Sequence, residues 1–262
     1  MMSSRFSFEV VNALDYDELR PSYAPEAVTW VAERSSLRSG SVVVDLAAGT
    51  GQLSRRFAPL GVDLIAVEPA ANMRAVLEKR MPTLRVEEGT AELIPSADCS
   101  VDAVVVGNAF HHFERMKAFA EIRRVLRPGG VLALFWAWSL EQEQLSLPLL
   151  REIDQVVEAA RGSNDIATAY RSWSEMPPPA AGFGPFERRE FPVTHVILSA
   201  RLADLYATSS DVASLPQPDR AELLAEIGFM AIELPETLHL PARTVVDLCV
   251  RIEEEAGAEE SG

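Results

Sequence analysis

Cysteine and histidine are scarce in this chain, with two of the first and four of the second among 262 residues. Cys99 and Cys249 lie far apart, form no C-x-x-C pair and cannot make a disulfide framework. His111, His112, His195 and His239 fall at no metal-ligand spacing, so no metal is expected. No apolar run approaches the ~18 residues of a membrane span. The first ten residues lack the apolar stretch of a signal peptide. With thiols so few, a reducing cytoplasm is the expected location. Lysine is nearly missing, only Lys79 and Lys117, a bias expected of a GC-rich genome rather than of a function. Positive charge as a whole is short, with 24 Lys and Arg against 39 Asp and Glu, net −15. Such an acid excess argues against nucleic acid as a partner, because affinity for phosphates comes from cations that release counterions. It argues equally against an anionic membrane surface.

What is present is an ordinary globular balance, 48% hydrophobic and 24% charged, far too apolar for global disorder. The length allows one large domain, or a core with an insertion. Residues 1–138 hold 15 basic and 17 acidic residues, and residues 139–262 hold 9 and 22. The negative charge is therefore concentrated in the second half. Part of it sits in residues 253–262, a Glu-rich stretch expected to be a solvated, disordered tail.

The pattern of elements is regular up to Trp138. An aromatic and acidic lead-in from Phe6 to Tyr23 reads as too polar for core, and a helix follows from Pro25. Val42 to Leu46 is a β-branched run without polar alternation, the signature of a strand buried on both faces. Helix Gln52–Ala58, strand Leu64–Val67, helix Ala70–Arg80, strand Leu84–Glu87, strand Val101–Val106, helix Phe119–Leu126 and strand Val131–Trp136 follow in turn. Alternating strands and helices with short connections predict an α/β fold with an open parallel sheet. Beyond Trp138 the alternation fails. Helices are expected over Leu149–Ala160, Leu202–Thr208 and Asp219–Ile227, and a strand over Arg189–Leu198. Two further segments, Glu236–Leu240 and Val245–Arg251, close the ordered chain, and Met176 to Pro179 is a break.

Ligands of open α/β sheets bind beyond the carboxyl ends of the strands. After the first strand comes Asp45-Leu46-Ala47-Ala48-Gly49-Thr50-Gly51, where glycine lets the backbone lie against a ligand. After the second comes Glu68-Pro69, whose carboxylate suits the vicinal hydroxyls of a ribose. Gly89-Thr90-Ala91-Glu92 follows the third, and Gly107-Asn108-Ala109-Phe110-His111-His112-Phe113 the fourth. Together these describe one nucleoside slot. The dinucleotide fingerprint G-x-G-x-x-G is not met, since its third glycine would fall on Ser54.

These motifs, with Arg123-Arg124-Val125-Leu126-Arg127-Pro128-Gly129-Gly130, resemble those of the class I S-adenosylmethionine-dependent methyltransferases, in their small-molecule, methyltransferase type 11-like group. The resemblance is close over residues 10–138. It implies a Rossmann-like, seven-stranded, mostly parallel sheet with helices on both faces, the last strand antiparallel, and a helical cap inserted after the fifth strand. It also implies four regions. Residues 1–40 would be an N-terminal flap and lead-in helix, 41–138 the cofactor-binding core, 139–252 an acceptor-side cap with the terminal strands, and 253–262 the tail. Carried over by position, S-adenosylmethionine would meet Asp45, Ala47, Gly49 and Gly51 at its methionine end and Glu68 at the ribose. Pro69 and Met73 would lie beside the adenine, Thr90, Ala91 and Glu92 along its edge, and Asn108 beneath the sulfonium. Tyr16 and Arg20 would belong to the flap. Ala47 stands where the family usually has its first glycine, which implies a negative φ there. Thr90 stands for a common acid and His112 for a frequent tryptophan.

Methyl transfer to a small organic acceptor follows as the expected activity, with His111 or His112 as the base if the nucleophile arrives protonated. An NAD(P)-dependent oxidoreductase is the alternative on the same fold, although no tyrosine is followed four residues on by lysine. A non-catalytic module that keeps the cofactor slot is a third reading. Trp136, Trp138, Trp173, Met176, Phe183 and Phe186 are expected to be mostly core, while Arg161, Arg171, Arg188 and Arg189 would serve a polycarboxylate acceptor if they converge.

Overall fold

The computed structural model describes residues 8, 11–139, 147–161 and 181–253. The tail beyond Glu253, the Met176–Pro179 break, Trp173 and Arg171 lie outside these residues, as do the side chains of Trp138 and Arg161.

Buried β-branched runs need cover on both faces, and they receive it in one seven-stranded sheet. Its strands are β1 (Val42–Leu46), β2 (Asp63–Val67), β3 (Arg85–Glu87), β4 (Val101–Gly107), β5 (Leu126–Ser139), β6 (Glu187–Leu198) and β7 (Thr237–Val250), ordered β3-β2-β1-β4-β5-β7-β6. The pairs β2/β3, β1/β2, β1/β4 and β4/β5 are parallel, and β7 runs antiparallel to both β5 and β6. The helices are α1 (Ala13–Leu19), α2 (Pro25–Arg34), α3 (Gln52–Phe57), α4 (Ala71–Arg80), α5 (Arg115–Val125), α6 (Pro148–Arg161), α7 (Leu202–Ala207), α8 (Ser210–Ala213) and α9 (Gln217–Ala231). One face of the sheet packs Phe119 and Ile122 of α5, and the other packs α2 and α3 through Val28, Val31, Leu53 and Phe57. A third cluster joins Ile153 and Val157 of α6, Leu202 of α7, Leu223 and Ile227 of α9, and Ile197 and Leu238 of the terminal strands. That cluster is the helical cap, and Leu19 of α1 belongs to it.

Three expectations need correction. The segments around Glu236–Leu240 and Val245–Arg251 are one continuous strand. Proline normally interrupts an interior strand by removing a ladder donor. Here Pro241 faces Thr194 of β6, while β5 ends opposite Ala242, so among the described residues no neighbour on that side needs the missing N–H. Secondly, the lead-in is not too polar for core. Val11, Ala13, Leu19, Tyr23 and Ala24 are all buried, and the Tyr23 ring packs edge-on against Phe135 at 5.8 Å. Finally, Ala47 has φ +56° rather than a negative value. The left-handed region costs an L-residue roughly 1–2 kcal/mol. The turn is held there by hydrogen bonds from Ala48 N to Val67 O and from Gly51 N to Ala48 O.

Candidate active site

The strand order reverses between β1 and β4, so the crevice opens at the carboxyl ends of β1, β2 and β4. Gly51 caps α3 with φ +85°, and a Cβ there would lie 2.2 Å from Leu77 Cδ1 of α4. Its place is therefore structural, seating α3 against α4 so that the turn before it faces the crevice. A Cβ on Gly49, by contrast, would meet nothing within 4 Å and would project into open space.

Glu68 is only 5% exposed. Its Oε2 accepts from Gly49 N and its Oε1 from Ala70 N, each at 2.8 Å. The carboxylate thereby ties the glycine turn to the start of α4. Asp45 at the end of β1 is 1% exposed; its Oδ2 accepts from Ser54 Oγ at 2.6 Å, and its Oδ1 meets no donor among the described residues. Burial raises the Asp45 carboxyl to about 7. Asn108, at φ +49°, is held from both sides: its N donates to Phe135 O and its Oδ1 accepts from Ala137 N, both at 2.8 Å.

These groups border a cavity of about 230 Å³. Tyr16, Ala47, Gly49, Glu68, Pro69, Met73, Thr90, Ala91, Glu92, Asn108 and His112 line it. Asp45 lines a smaller adjoining pocket with Tyr16, Ala47 and Gly49. Arg20, Gly51 and His111 line neither. Arg20 instead donates from Nη2 to Thr208 O at 2.9 Å and packs over the Tyr16 ring. His111 stands behind His112, ring centroids 3.9 Å apart, and is 6.0 Å from Trp136. Glu92 has a structural bond of its own, accepting from Glu114 N at the start of α5 at 2.9 Å. Burial pushes His111 down to about 3 and His112 to about 4, so both imidazoles are neutral at pH 7. Burial likewise raises the Tyr16 phenol.

Gly107, Ala109 and Phe113 of the motif after β4 also lie on the cavity wall and Tyr23 of the lead-in on the adjoining pocket, while the sequence reading missed Phe8 on the first and Gln52 on the second. A Cβ on Gly107 would lie 2.4 Å from Tyr23 Oη, so this glycine lets the tyrosine close the end of β4. Glycine directly after a buried strand was the available signal. Nothing marked Phe8, whose position depends on the path of the N-terminal segment. Of the arginines considered for a polycarboxylate, Arg188 is bound to Asp247 and Arg189 lies over Trp30 and Phe191 on the other face of the sheet. They do not converge. Trp136, Phe183 and Phe186 are buried as expected.

Among the described residues, no group of three or more His, Cys, Asp or Glu could hold a metal ion, and no helix is long and apolar enough to cross a membrane. The residues do fit an adenosyl sulfonium amino acid. A buried carboxylate, Glu68, fixed by two backbone donors stands on the cavity wall, and in the adjoining pocket stands Asp45, with one carboxyl oxygen that meets no donor among the described residues.

The family model of a methyltransferase domain matches residues 44–134. An uncharacterised methyltransferase of Mycobacterium tuberculosis is 34% identical over 241 residues, spanning 90% of this chain and 91% of its own. An uncharacterised methyltransferase of Schizosaccharomyces pombe is 31% identical over 222 residues, spanning 84% of this chain and 86% of its own. Among solved structures, a protein of Anaeromyxobacter dehalogenans described as a type II methyltransferase superposes with a TM-score of 0.60 at 22% identity, over 89% of this chain and 97% of that one. With relatives at this identity matching nearly end to end, and with the sheet order and crevice in place, the chain belongs to the class I S-adenosylmethionine-dependent methyltransferases.

Proposed function

We propose that this enzyme methylates a small organic acceptor in the cytoplasm, in metabolite or natural-product modification, and that the slot at the ends of β1, β2 and β4 holds its cofactor. One observation supports the reading: buried Glu68 lines the main cavity and buried Asp45 the pocket adjoining it, the two sharing Tyr16, Ala47 and Gly49, and one Asp45 oxygen meets no donor among the described residues. S-Adenosylmethionine supplies, when bound, a methyl group on a positively charged sulfur.

Glu68 accepts from the ribose hydroxyls, its carboxylate fixed at the cavity wall by the N–H groups of Gly49 and Ala70. Asp45 takes the ammonium, with the backbone of Ala47 and Gly49 against the methionine end and Gly51 behind them. Pro69 and Met73 flank the base, Thr90, Ala91 and Glu92 edge it, and Asn108 lies beneath the sulfur. Tyr16 covers the slot, with Arg20 packed over its ring rather than on the slot, and the cap completes the acceptor side. His112, backed by His111, accepts a proton from a nucleophile that arrives protonated. With its basicity lowered by burial it does so weakly, so alignment and exclusion of water carry most of the rate.

Isothermal titration with S-adenosylmethionine tests the reading; heatless injections at millimolar cofactor would refute it. The same titration has an expected pH dependence. Below about 7 the buried Asp45 carboxyl is neutral, and above it the group is charged and attracts the ammonium. Affinity should therefore rise by about tenfold between pH 6 and pH 8, as a gained charged hydrogen bond would give. Asp45→Asn should hold the affinity at its low-pH level throughout. A rise with pH that persists in Asp45→Asn would show that another group is responsible.

A further inference from the structure

Helix α1 has seven residues, too few to be stable by itself. Its position is set by side chains from elsewhere in the chain. Asn12 caps its start, with Oδ1 accepting from Leu14 N at 3.1 Å. Asn72 of α4 donates to Phe8 O and Val11 O just before it. Gln52, the first residue of α3, donates from Nε2 to Tyr16 O and Asp17 O at 3.3 and 3.1 Å. The strongest tie is Asp17, whose side chain is 5% exposed and bridges two helices: Oδ1 meets Arg55 Nη2 of α3 at 2.7 Å, and Oδ2 meets Arg80 Nε of α4 at 2.9 Å.

Both helices start at the crevice. Helix α3 begins after the Ala47–Gly51 turn and α4 begins after Glu68 and Pro69. Arg55 extends the link, since its Nη1 donates to Thr50 O inside that turn at 3.1 Å. Successive helical residues project about 100° apart, so Asp17 reaches α3 and α4 while Tyr16, one residue earlier, lines both the main cavity and the adjoining pocket. A charge clamp on one face of α1 thus sets an aromatic wall on another.

We infer that Asp17 is a positioning residue for cofactor retention: through its ion pairs with Arg55 and Arg80 it holds Tyr16 against the slot. This rests on the proposal that the slot binds S-adenosylmethionine. Asp17 itself lines neither cavity, so its effect on the ligand passes through α1. Such an effect belongs mainly to release, because the wall must move aside before the ligand leaves.

The test is the dissociation rate of S-adenosylhomocysteine from the full chain, followed by surface plasmon resonance in a double-mutant cycle. Asp17→Asn keeps the size and removes the charge. It should speed release by about tenfold. Tyr16→Ala should do much the same, and the double variant should be no faster than Tyr16→Ala alone. Additive effects would mean that Asp17 acts independently of Tyr16 and would overturn the inference. A rate unchanged in Asp17→Asn would overturn it as well. If Asp17→Asn does not fold, Arg80→Gln removes one of the two cations from a more exposed position and should speed release in the Tyr16 background only. No binding by the unmodified chain would defeat the proposed function itself, whereas binding with an additive cycle leaves that function standing and defeats the clamp.

Discussion

Replacing Glu68 by alanine should weaken S-adenosylmethionine binding by about 1–3 kcal/mol, the usual value of charged hydrogen bonds, or roughly fivefold to 150-fold in Kd. Two losses combine. The ligand loses its acceptor, and the N–H groups of Gly49 and Ala70 lose the carboxylate that holds the turn and the start of α4 together. Glu68→Gln separates them. An amide keeps one acceptor oxygen, so it should retain part of the tie and still bind poorly. Calorimetric titration gives the affinities, and thermal melts of both variants show how much of the change is structural. An unchanged Kd in Glu68→Ala, with the protein folded, would remove Glu68 from the cofactor site.

The largest loss of stability is expected away from the crevice, at Arg188. Asp247 in β7 is fully buried, and Arg188 in β6 grips it through Nε–Oδ1 at 2.7 Å and Nη2–Oδ2 at 2.8 Å. Trp136 Nε1 adds a third bond to the same carboxylate at 3.2 Å. Arg188→Met would leave the carboxylate with the indole as its remaining partner of these three groups. Breaking a buried pair by removing one member costs about 3–5 kcal/mol. The lower end applies here, because the Arg188 side chain is 24% exposed. About 3 kcal/mol corresponds to a fall in Tm of roughly 6–12 °C for a domain of this size. The double variant Arg188→Met/Asp247→Leu removes both charges and should recover most of the loss, since apolar replacements of buried pairs are often neutral. If the double variant melts lower than Arg188→Met, the pair is not the coupled unit its geometry indicates.

The same arginine illustrates what sequence reasoning missed. Arg188 and Arg189 are adjacent and chemically alike, and both were candidates for the acceptor. Strand geometry sends consecutive side chains to opposite faces. One reaches a buried aspartate 59 positions on and the other packs on Trp30 and Phe191. No local pattern distinguishes them. The Rossmann-like half was far more legible, because uninterrupted runs such as Val42–Leu46 and Val101–Gly107 are compatible with few environments other than a covered parallel strand. The turn at Ala47 was legible in position and misjudged in conformation: an alanine suggested negative φ, and the hydrogen bonds that close the turn hold it at +56°.

The two histidines follow the same division. Their place after β4 was evident from the order of strands and loops. That His112 faces the cavity while His111 backs it depends on how the short turn Phe110–His112 packs against Phe8 and Trp136, which are distant in the chain.

The β-α alternation and the strand-end motifs were sufficient by themselves to predict the sheet and to mark the strand ends that border the crevice. Those features are local, and each repeats a short-range physical rule of burial, turn geometry or charge. The tertiary structure decided the ion pairs of Asp17 with Arg55 and Arg80, the closing of β4 by Tyr23, the buried Arg188–Asp247 pair and the packing of α6, α7 and α9 on the terminal strands. Each of these joins residues from separate elements, so its energy depends on where the folded chain places them rather than on their neighbours in sequence.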